Sequence, residues 1–291
     1  MTGSSSPIDT ARTWLFVPGD RPERFAKARR SGADVAIIDL EDAVDAAQKD
    51  KARQETAALI AEDNAFAVRI SAVNSADGAK DLEMLAGIGR SPLAIIAATA
   101  EDPEDMALIA RTVRAPVIAL IESARGLEAA SDLAASSAVA RLALGAVDLS
   151  LDAGFTLDDR VLAPIRSRLV ISSRAAGIAG PIDTPSLDIR DLDAVRTSTL
   201  QAQRFGMAGK LCIHPAQIPV VSEAFRPTAA EVEHARTILA AARNGGASQL
   251  HGQMIDLPVL ERARRVIADA ESTIRTGIPA RKEGTPWHAF P

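Results

Sequence analysis

Eight short apolar runs alternate along the chain with longer stretches of helical pattern. The runs are Thr13–Val17, Asp34–Leu40, Phe66–Ile70, Leu93–Ala98, Val117–Ile121, Leu142–Val147, Ala179–Ile182 and Leu211–Ile213. Near-continuous apolar runs of this length are what strands covered on both faces require. Residues 22–31, 45–61, 77–87, 103–112, 125–135, 158–176 and 188–205 are rich in Ala, Leu and charge, with Asp, Glu or Pro near their starts. They predict helices. Eight strand–helix units in this length predict an α/β fold, a closed (β/α)8 TIM barrel over residues 13–225. An open doubly wound sheet is the weaker alternative, because no Gly-x-Gly-x-x-Gly follows a strand. Two more helices, about 229–243 and 257–275, predict a C-terminal helical extension over 226–275, with a flexible hinge at 244–249. Residues 1–12 and 276–291 read as flexible tails.

Composition narrows the function classes. The 291 residues are 47% hydrophobic, enough for a sizeable core, but only 3% aromatic, with no Tyr. The net charge is −5, with no block of like charge. A stacking platform or basic groove for nucleic acid is therefore not expected. Cys212 is the lone cysteine, so no disulfide forms within the chain and a reducing cytoplasm is the natural compartment. The first residues show no basic and apolar signal-peptide pattern. No apolar run approaches the roughly 20 residues of a membrane helix.

In a TIM barrel the chemistry sits at the C-terminal ends of the strands. Those ends here carry Asp20 and Arg21, Asp39 to Asp42, Arg69, Thr99 and Glu101, Glu122, Asp148, Asp183, and His214. The apolar run Val117–Ile121 ends in Glu122, and the run from Val139 to Val147 ends in Asp148. Two strands that each end in an acid can set two carboxylates side by side, as a hard divalent cation requires. An acid after a strand is often only a helix cap, and Asp42 and Asp183 fit that role as well as any other. Glu is a poor N-cap, which favours function for Glu122. Arg69 ends a hydrophobic run, where an unpaired guanidinium is costly, so it must meet an acid or a ligand carboxylate. His214 reads as a structural hydrogen-bonding residue.

Other chemistries lack their residues. A Schiff-base aldolase needs an inner-strand lysine, and Lys210 lies at the start of its strand. No nucleophile elbow supports a Ser-His-Asp site, and His and Cys do not cluster for zinc. Two rim carboxylates suit Mg²⁺, which could hold a 2-oxo acid through its carboxylate and keto oxygens. Arg21, Arg24 and Lys27 lie near one face of the first helix. They suit a phosphorylated cofactor, but by motif alone a solvated helix face is the better reading.

These residues carry a family resemblance. Leu-Phe-Val-Pro-Gly-Asp-Arg-Pro (15–22), Asp-Leu-Glu-Asp-Ala-Val (39–44), Val-Arg-Ile (68–70) and Leu-Ile-Glu-Ser-Ala-Arg-Gly (120–126) occur in order. Gly-Ala-Val-Asp-Leu (145–149), Cys-Ile-His-Pro-Ala-Gln-Ile (212–218) and Gly-Gln-Met-Ile-Asp-Leu-Pro (252–258) follow. Together they cover residues 13 to about 270. The chain resembles the citrate lyase β-subunit-like enzymes, the CoA-ester lyases of the HpcH/HpaI aldolase superfamily. That resemblance implies a TIM barrel with a C-terminal extension, assembled as a trimer or hexamer. It implies Mg²⁺ on Glu122 and Asp148, a 2-oxo acid or its adduct on Arg69, and the CoA of a thioester substrate near Arg21, Arg24 and Lys27. It also implies that Asp256 exchanges the substrate proton from a neighbouring subunit, where sequence alone reads only a helix cap. The expected reaction is cleavage of a 3-hydroxyacyl-CoA, such as malyl-, citramalyl- or citryl-CoA, into an acyl-CoA and a 2-oxo acid, or the reverse. The alternatives are an aldolase on free 2-oxo acids, a β subunit of a citrate lyase complex, and a non-catalytic acyl-CoA-binding barrel. Two positions depart from the family pattern: Ala98-Thr99 replaces Pro-Lys, and Val147 replaces the first acid of Gly-Ala-Glu-Asp.

Overall fold

The structure is a computed structural model that describes residues 6–243, 249–250 and 253–274. The chain divides into two compact units, Met1–Phe225 and Arg226–Pro291. In the first, eight strands close into a barrel: β1 (Thr13–Pro18), β2 (Val35–Asp39), β3 (Ala67–Ile70), β4 (Ala94–Ala97), β5 (Val117–Ile121), β6 (Val139–Leu144), β7 (Ile182–Asp183) and β8 (Gly209–Cys212). Neighbours pair in parallel, and β8 pairs with β1. Alternate residues of each strand face inward. Trp14, Val35, Ile37, Ala67, Ile96, Ile118, Leu120, Ala143 and Leu211 therefore fill the interior as one apolar cluster. Among the described residues no helix is long and apolar enough to cross a membrane.

Three local expectations differ from the structure. β6 ends at Leu144, not Val147, and Gly145 leads straight into the helix Ala146–Ala153. Asp148 is thus in the first turn of a helix that periodicity did not predict, where the helix dipole favours an acid. Helix 125–135 is two pieces, Ala124–Glu128 and Ala130–Ala135, and helix 22–31 is a 3-10 turn, Pro22–Arg24, followed by Phe25–Arg29.

Residues 6–12 are not a tail. Pro7–Thr10 is a helical turn, and Ile8 and Ala11 are buried in the barrel interior. Arg141, buried on β6, explains why. Its Nη1 donates to the carbonyls of Ile8 (2.9 Å) and Ala11 (2.7 Å), and its Nε donates to Gly180 O (2.8 Å). Trp14 Nε1 also donates to Ala11 O (3.2 Å). The segment supplies carbonyls that a buried guanidinium needs, a role invisible in a polar stretch. Burial pulls the Arg141 guanidinium down to about 10, against the opposing pull of Asp9 and Asp34.

Asp183 is no cap. It accepts from Arg166 Nε (2.8 Å) and Nη2 (3.2 Å) and from Lys210 Nζ (3.0 Å), all fully buried between β7, β8 and the helix Asp159–Ala176. Lys210 also donates to Thr184 O (2.7 Å) and to Ser198 Oγ (3.2 Å) in the helix Leu192–Phe205. This network anchors a strand that has only two residues. Burial pushes the Asp183 carboxyl up, but Lys210 and Arg166 outweigh it and hold it below the usual carboxylate range.

In the second unit, helices Ala229–Arg243 and Leu257–Ile274 pack through Ala235, Ile238 and Ala263, joined by Ile255 just before the second helix. Two-residue strands, Gln249–Leu250 and Gln253–Met254, pair antiparallel between them. Residues 244–248 of the expected hinge and the expected tail 276–291 lie outside the described residues.

Removing Asp183 strands two buried cations. Asp183→Ala should cost roughly 3–5 kcal/mol, measured as a fall in the urea unfolding midpoint at unchanged slope. An unaltered midpoint would show that the network contributes nothing net.

Candidate active site

The inward alternation of three strands continues past the apolar interior into charged side chains. Val35 and Ile37 lead to Asp39, Ala67 leads to Arg69, and Ile118 and Leu120 lead to Glu122. Asp39 and Arg69 are register partners on β2 and β3. Arg69 donates to Asp39 from Nε (2.8 Å) and Nη2 (2.6 Å), a bidentate pair, with its guanidinium 4.8 Å from the ring centre of Phe16. Its Nη1 lies 2.8 Å from Glu41 Oε2 and 3.6 Å from Asp42 Oδ2. Burial alone would lower the guanidinium, but Asp39 and Glu41 overcome it and the pKa rises. The β2 loop is held in turn. Asp39 Oδ1 accepts from Glu41 N (3.0 Å), and Lys49 Nζ donates to Leu40 O (2.7 Å) and Glu41 O (2.8 Å).

Glu122 is buried at the end of β5. Its Oε1 accepts from Thr99 N (2.6 Å) and Thr99 Oγ1 (3.2 Å). On its other side is Gly145, where an added Cβ would come within 2.6 Å of Glu122 Cβ and 2.7 Å of Oε2. A glycine is therefore required there. One turn further on, Asp148 projects half-buried into the same cleft.

The cleft has a volume of about 390 Å³. Glu41, Asp42, Glu122 and Asp148 line it together with Thr99 and Ser123, and Glu101, Asp152 and the exposed Leu151 complete its rim. Negative charge is in surplus. Burial pushes Glu122 up to about 7; Thr99 and Arg69 pull it back, and Asp148 adds to the rise. Burial also raises Glu41 to about 8, opposed by Arg69 and reinforced by Asp42 and Glu122. Asp148 is raised by burial and by Asp42. Glu41 Oε2 is buried, and its contact with Arg69 is an ion pair without hydrogen-bond alignment.

The structure thus brings Glu122 and Asp148 into one cleft, whereas Arg69, already held by Asp39, does not line it and reaches it only through Glu41. Arg21, Arg24 and Lys27 are exposed and do not line it. Among the described residues, Arg21 and Arg24 pair with their neighbours Asp20 (3.6 Å) and Glu23 (3.9 Å). Asp256 belongs to the second unit, where it is exposed and accepts from Val259 N (3.2 Å), capping the helix Leu257–Ile274. His214 accepts from Ala216 N (3.2 Å) in a turn, as a structural histidine would. Sequence reasoning placed Glu41 at the rim without a role and did not name Asp152. Asp152 stands four residues after Asp148, hence on one helix face, and recognising the helix Ala146–Ala153 would have found it.

Among the described residues no three His, Cys, Asp or Glu side chains form a ready cage for a metal. Two carboxylates with surplus negative charge nevertheless suit a small hard dication, which keeps several waters and takes few protein ligands.

Two family models match the chain: HpcH/HpaI aldolase/citrate lyase over residues 12–215, and C-C bond lyase of the TIM-barrel fold over residues 186–272. A citrate lyase subunit beta-like protein of Mycobacterium tuberculosis is 38% identical, over 88% of this chain and 94% of that one. The L-malyl-CoA/beta-methylmalyl-CoA lyase of Rhodobacter capsulatus is 29% identical, over 93% and 98%. The crystal structure of CitE from Mycobacterium tuberculosis in complex with magnesium, acetoacetate and coenzyme A superposes with a TM-score of 0.82. It is 37% identical, covering 90% of this chain and 99% of that one.

The raised carboxyls predict a pH effect without added metal. Between about pH 5 and 8 the folded protein keeps protons on Glu122 and Glu41 that the unfolded chain has released, so stability falls as pH rises through 7 to 8. The urea midpoint should drop across this window, and Glu122→Gln should flatten the drop. A midpoint that rises with pH in both proteins would contradict the assignment.

Proposed function

This chain belongs to the HpcH/HpaI aldolase/citrate lyase family of carbon–carbon lyases, and from that premise we propose that it is a Mg²⁺-dependent CoA-ester lyase. Its reaction is cleavage of a 3-hydroxyacyl-CoA into an acyl-CoA and a 2-oxo acid, or the reverse condensation. The observation that carries the reading is the convergence of Glu122 and Asp148 in one acidic cleft in front of Arg69. Magnesium and coenzyme A in the M. tuberculosis structure, and the thioester substrate named for the R. capsulatus relative, support it.

Glu122 and Asp148 are the ligands. Mg²⁺ bound there supplies a Lewis acid for the carboxylate and carbonyl oxygens of the oxo acid. Arg69, held rigid by Asp39, orients the hydroxy-acid end of the substrate. As the Cβ hydroxyl passes its proton to a water in the cleft and becomes the carbonyl of the 2-oxo acid, the bond between Cα and Cβ breaks and its electron pair becomes a thioester enolate. Asp256 of a neighbouring subunit protonates that enolate at Cα, and in condensation it removes the same proton. Arg21, Arg24 and Lys27 hold the CoA phosphates as point charges. The protein works in the cytoplasm as a homotrimer or hexamer. A second reading, a thioester on an acyl carrier protein, is favoured by the citrate lyase naming of the M. tuberculosis relative.

Incubation with acetyl-CoA or propionyl-CoA, Mg²⁺ and each of glyoxylate, pyruvate and oxaloacetate should yield an EDTA-sensitive CoA ester, identified by mass spectrometry. No product with any pair would refute the CoA reading, and activity only on an acyl carrier thioester would establish the second. Glu122→Ala and Asp148→Ala should each lower turnover about 100-fold or more. Full activity in either removes it from the metal site. Asp256→Asn should lose roughly 100- to 10,000-fold in α-proton exchange of acetyl-CoA in D₂O, while substrate binding persists. Exchange at the wild-type rate would exclude it.

A further inference from the structure

Thr99 is one of two non-glycine residues with positive φ among the described residues, at 48°. A β-branched residue in the left-handed region is strained, and such strain persists only where the surroundings impose it. Here they do so on both sides. Before it, Ala98 N donates to Ile70 O (3.3 Å). After it, Ala100 N donates to Leu120 O (3.1 Å). Ala100 O lies so close to Gly126 that a Cβ there would sit 2.5 Å from it. Ser123 Oγ then donates to Glu101 Oε1 (2.6 Å). The loop after β4 is thereby pinned to the loop after β5, and the residue between the pins takes the strained conformation. What that conformation accomplishes is visible at Glu122: both the N–H and the hydroxyl of Thr99 are aimed at Oε1.

We propose that Thr99 is a positioning residue that commits Glu122 Oε1 to itself and leaves Oε2, lodged over Gly145, as the oxygen offered to a divalent cation. This rests on reading Glu122 as a metal ligand. An oriented backbone N–H and a hydroxyl hold the carboxylate in place. Outer partners of this kind fix ligand geometry and govern metal affinity.

The test uses the full-length protein and Mn²⁺ as the probe. In protein labelled with ¹⁵N-threonine, the Thr99 amide proton should lie downfield of the other threonine amides, because of its short bond to a carboxylate, and move upfield in Glu122→Gln. Thr99→Pro removes the N–H and forces φ to about −65°. It should weaken Mn²⁺ binding, followed by electron paramagnetic resonance, about tenfold or more with circular dichroism unchanged. Thr99→Gly keeps the N–H but removes the hydroxyl, and should weaken Mn²⁺ binding less than Thr99→Pro does; a loss as large as that of Thr99→Pro would overturn the role of the amide. A folded Thr99→Pro protein with wild-type affinity overturns the inference. So does a Thr99 amide indifferent to Glu122→Gln, which decides the matter even if Thr99→Pro does not fold. If the amide moves but wild type and Glu122→Gln bind Mn²⁺ equally, the metal reading of Glu122 falls and the Thr99 clamp stands.

Discussion

A guanidinium at the mouth of a barrel cannot be left without a carboxylate, and the site is organised by how Arg69 meets that demand. Its partner, Asp39, is its register neighbour on the next strand, so the pair is built by strand pairing itself. The bidentate contact uses Nε and Nη2, which turns Nη1 toward the β2 loop. Asp39 also receives the N–H of Glu41, so the same carboxylate sets the loop that brings Glu41 and Asp42 to the cleft. The Phe16 face beneath the guanidinium shields the pair from below. A fixed, planar donor is what bidentate recognition of a carboxylate uses, and Arg69 is fixed by the interior and not by ligand.

Two buried carboxylates in this barrel titrate in opposite directions, and the contrast locates the chemistry. Asp183 is enclosed by Lys210 and Arg166, and the two cations outweigh its burial. Glu122 has two hydrogen bonds from Thr99 and a more distant Arg69, and burial prevails. The first is a completed structural network. The second holds charge that the protein leaves uncompensated, next to two more raised carboxyls, in a cleft. Raised, incompletely paired carboxyls at strand ends are what a functional site looks like, and a dication bound there, as proposed, would relieve their repulsion.

The cost of that arrangement is carried by the backbone around it. Gly145 is needed because Glu122 fills the space of a side chain, and Thr99 adopts a left-handed conformation in order to aim its amide. Both lie outside the strands, at the start of the loops that vary most freely in a barrel. Rigid strands bring the charged groups to the rim, and a few strained loop positions decide how they point.

The alternation of apolar runs and helical stretches was legible because both faces of a parallel barrel strand are buried, so strand and apolar run coincide. That determined the eight strands, the closed fold and the inner placement of Arg69 and Glu122. The ordered motifs, from Asp39-Leu40-Glu41-Asp42 to the segment ending at Asp256, identified the family. What sequence could not supply depends on contacts distant along the chain. The Pro7–Thr10 turn is polar in pattern, and is ordered because carbonyls within it answer Arg141, more than a hundred residues away. Asp148 read as the end of a strand, because an apolar run continues unbroken from β6 into the helix Ala146–Ala153. Asp183 and Asp42 were indistinguishable as capping acids until packing enclosed one between two cations and left the other at the cleft. Local pattern determined the alternation of the eight strands with most of the helices. Only tertiary structure decided which charges are neutralised and which are left for a ligand, because pairing depends on proximity in space and not on order along the chain.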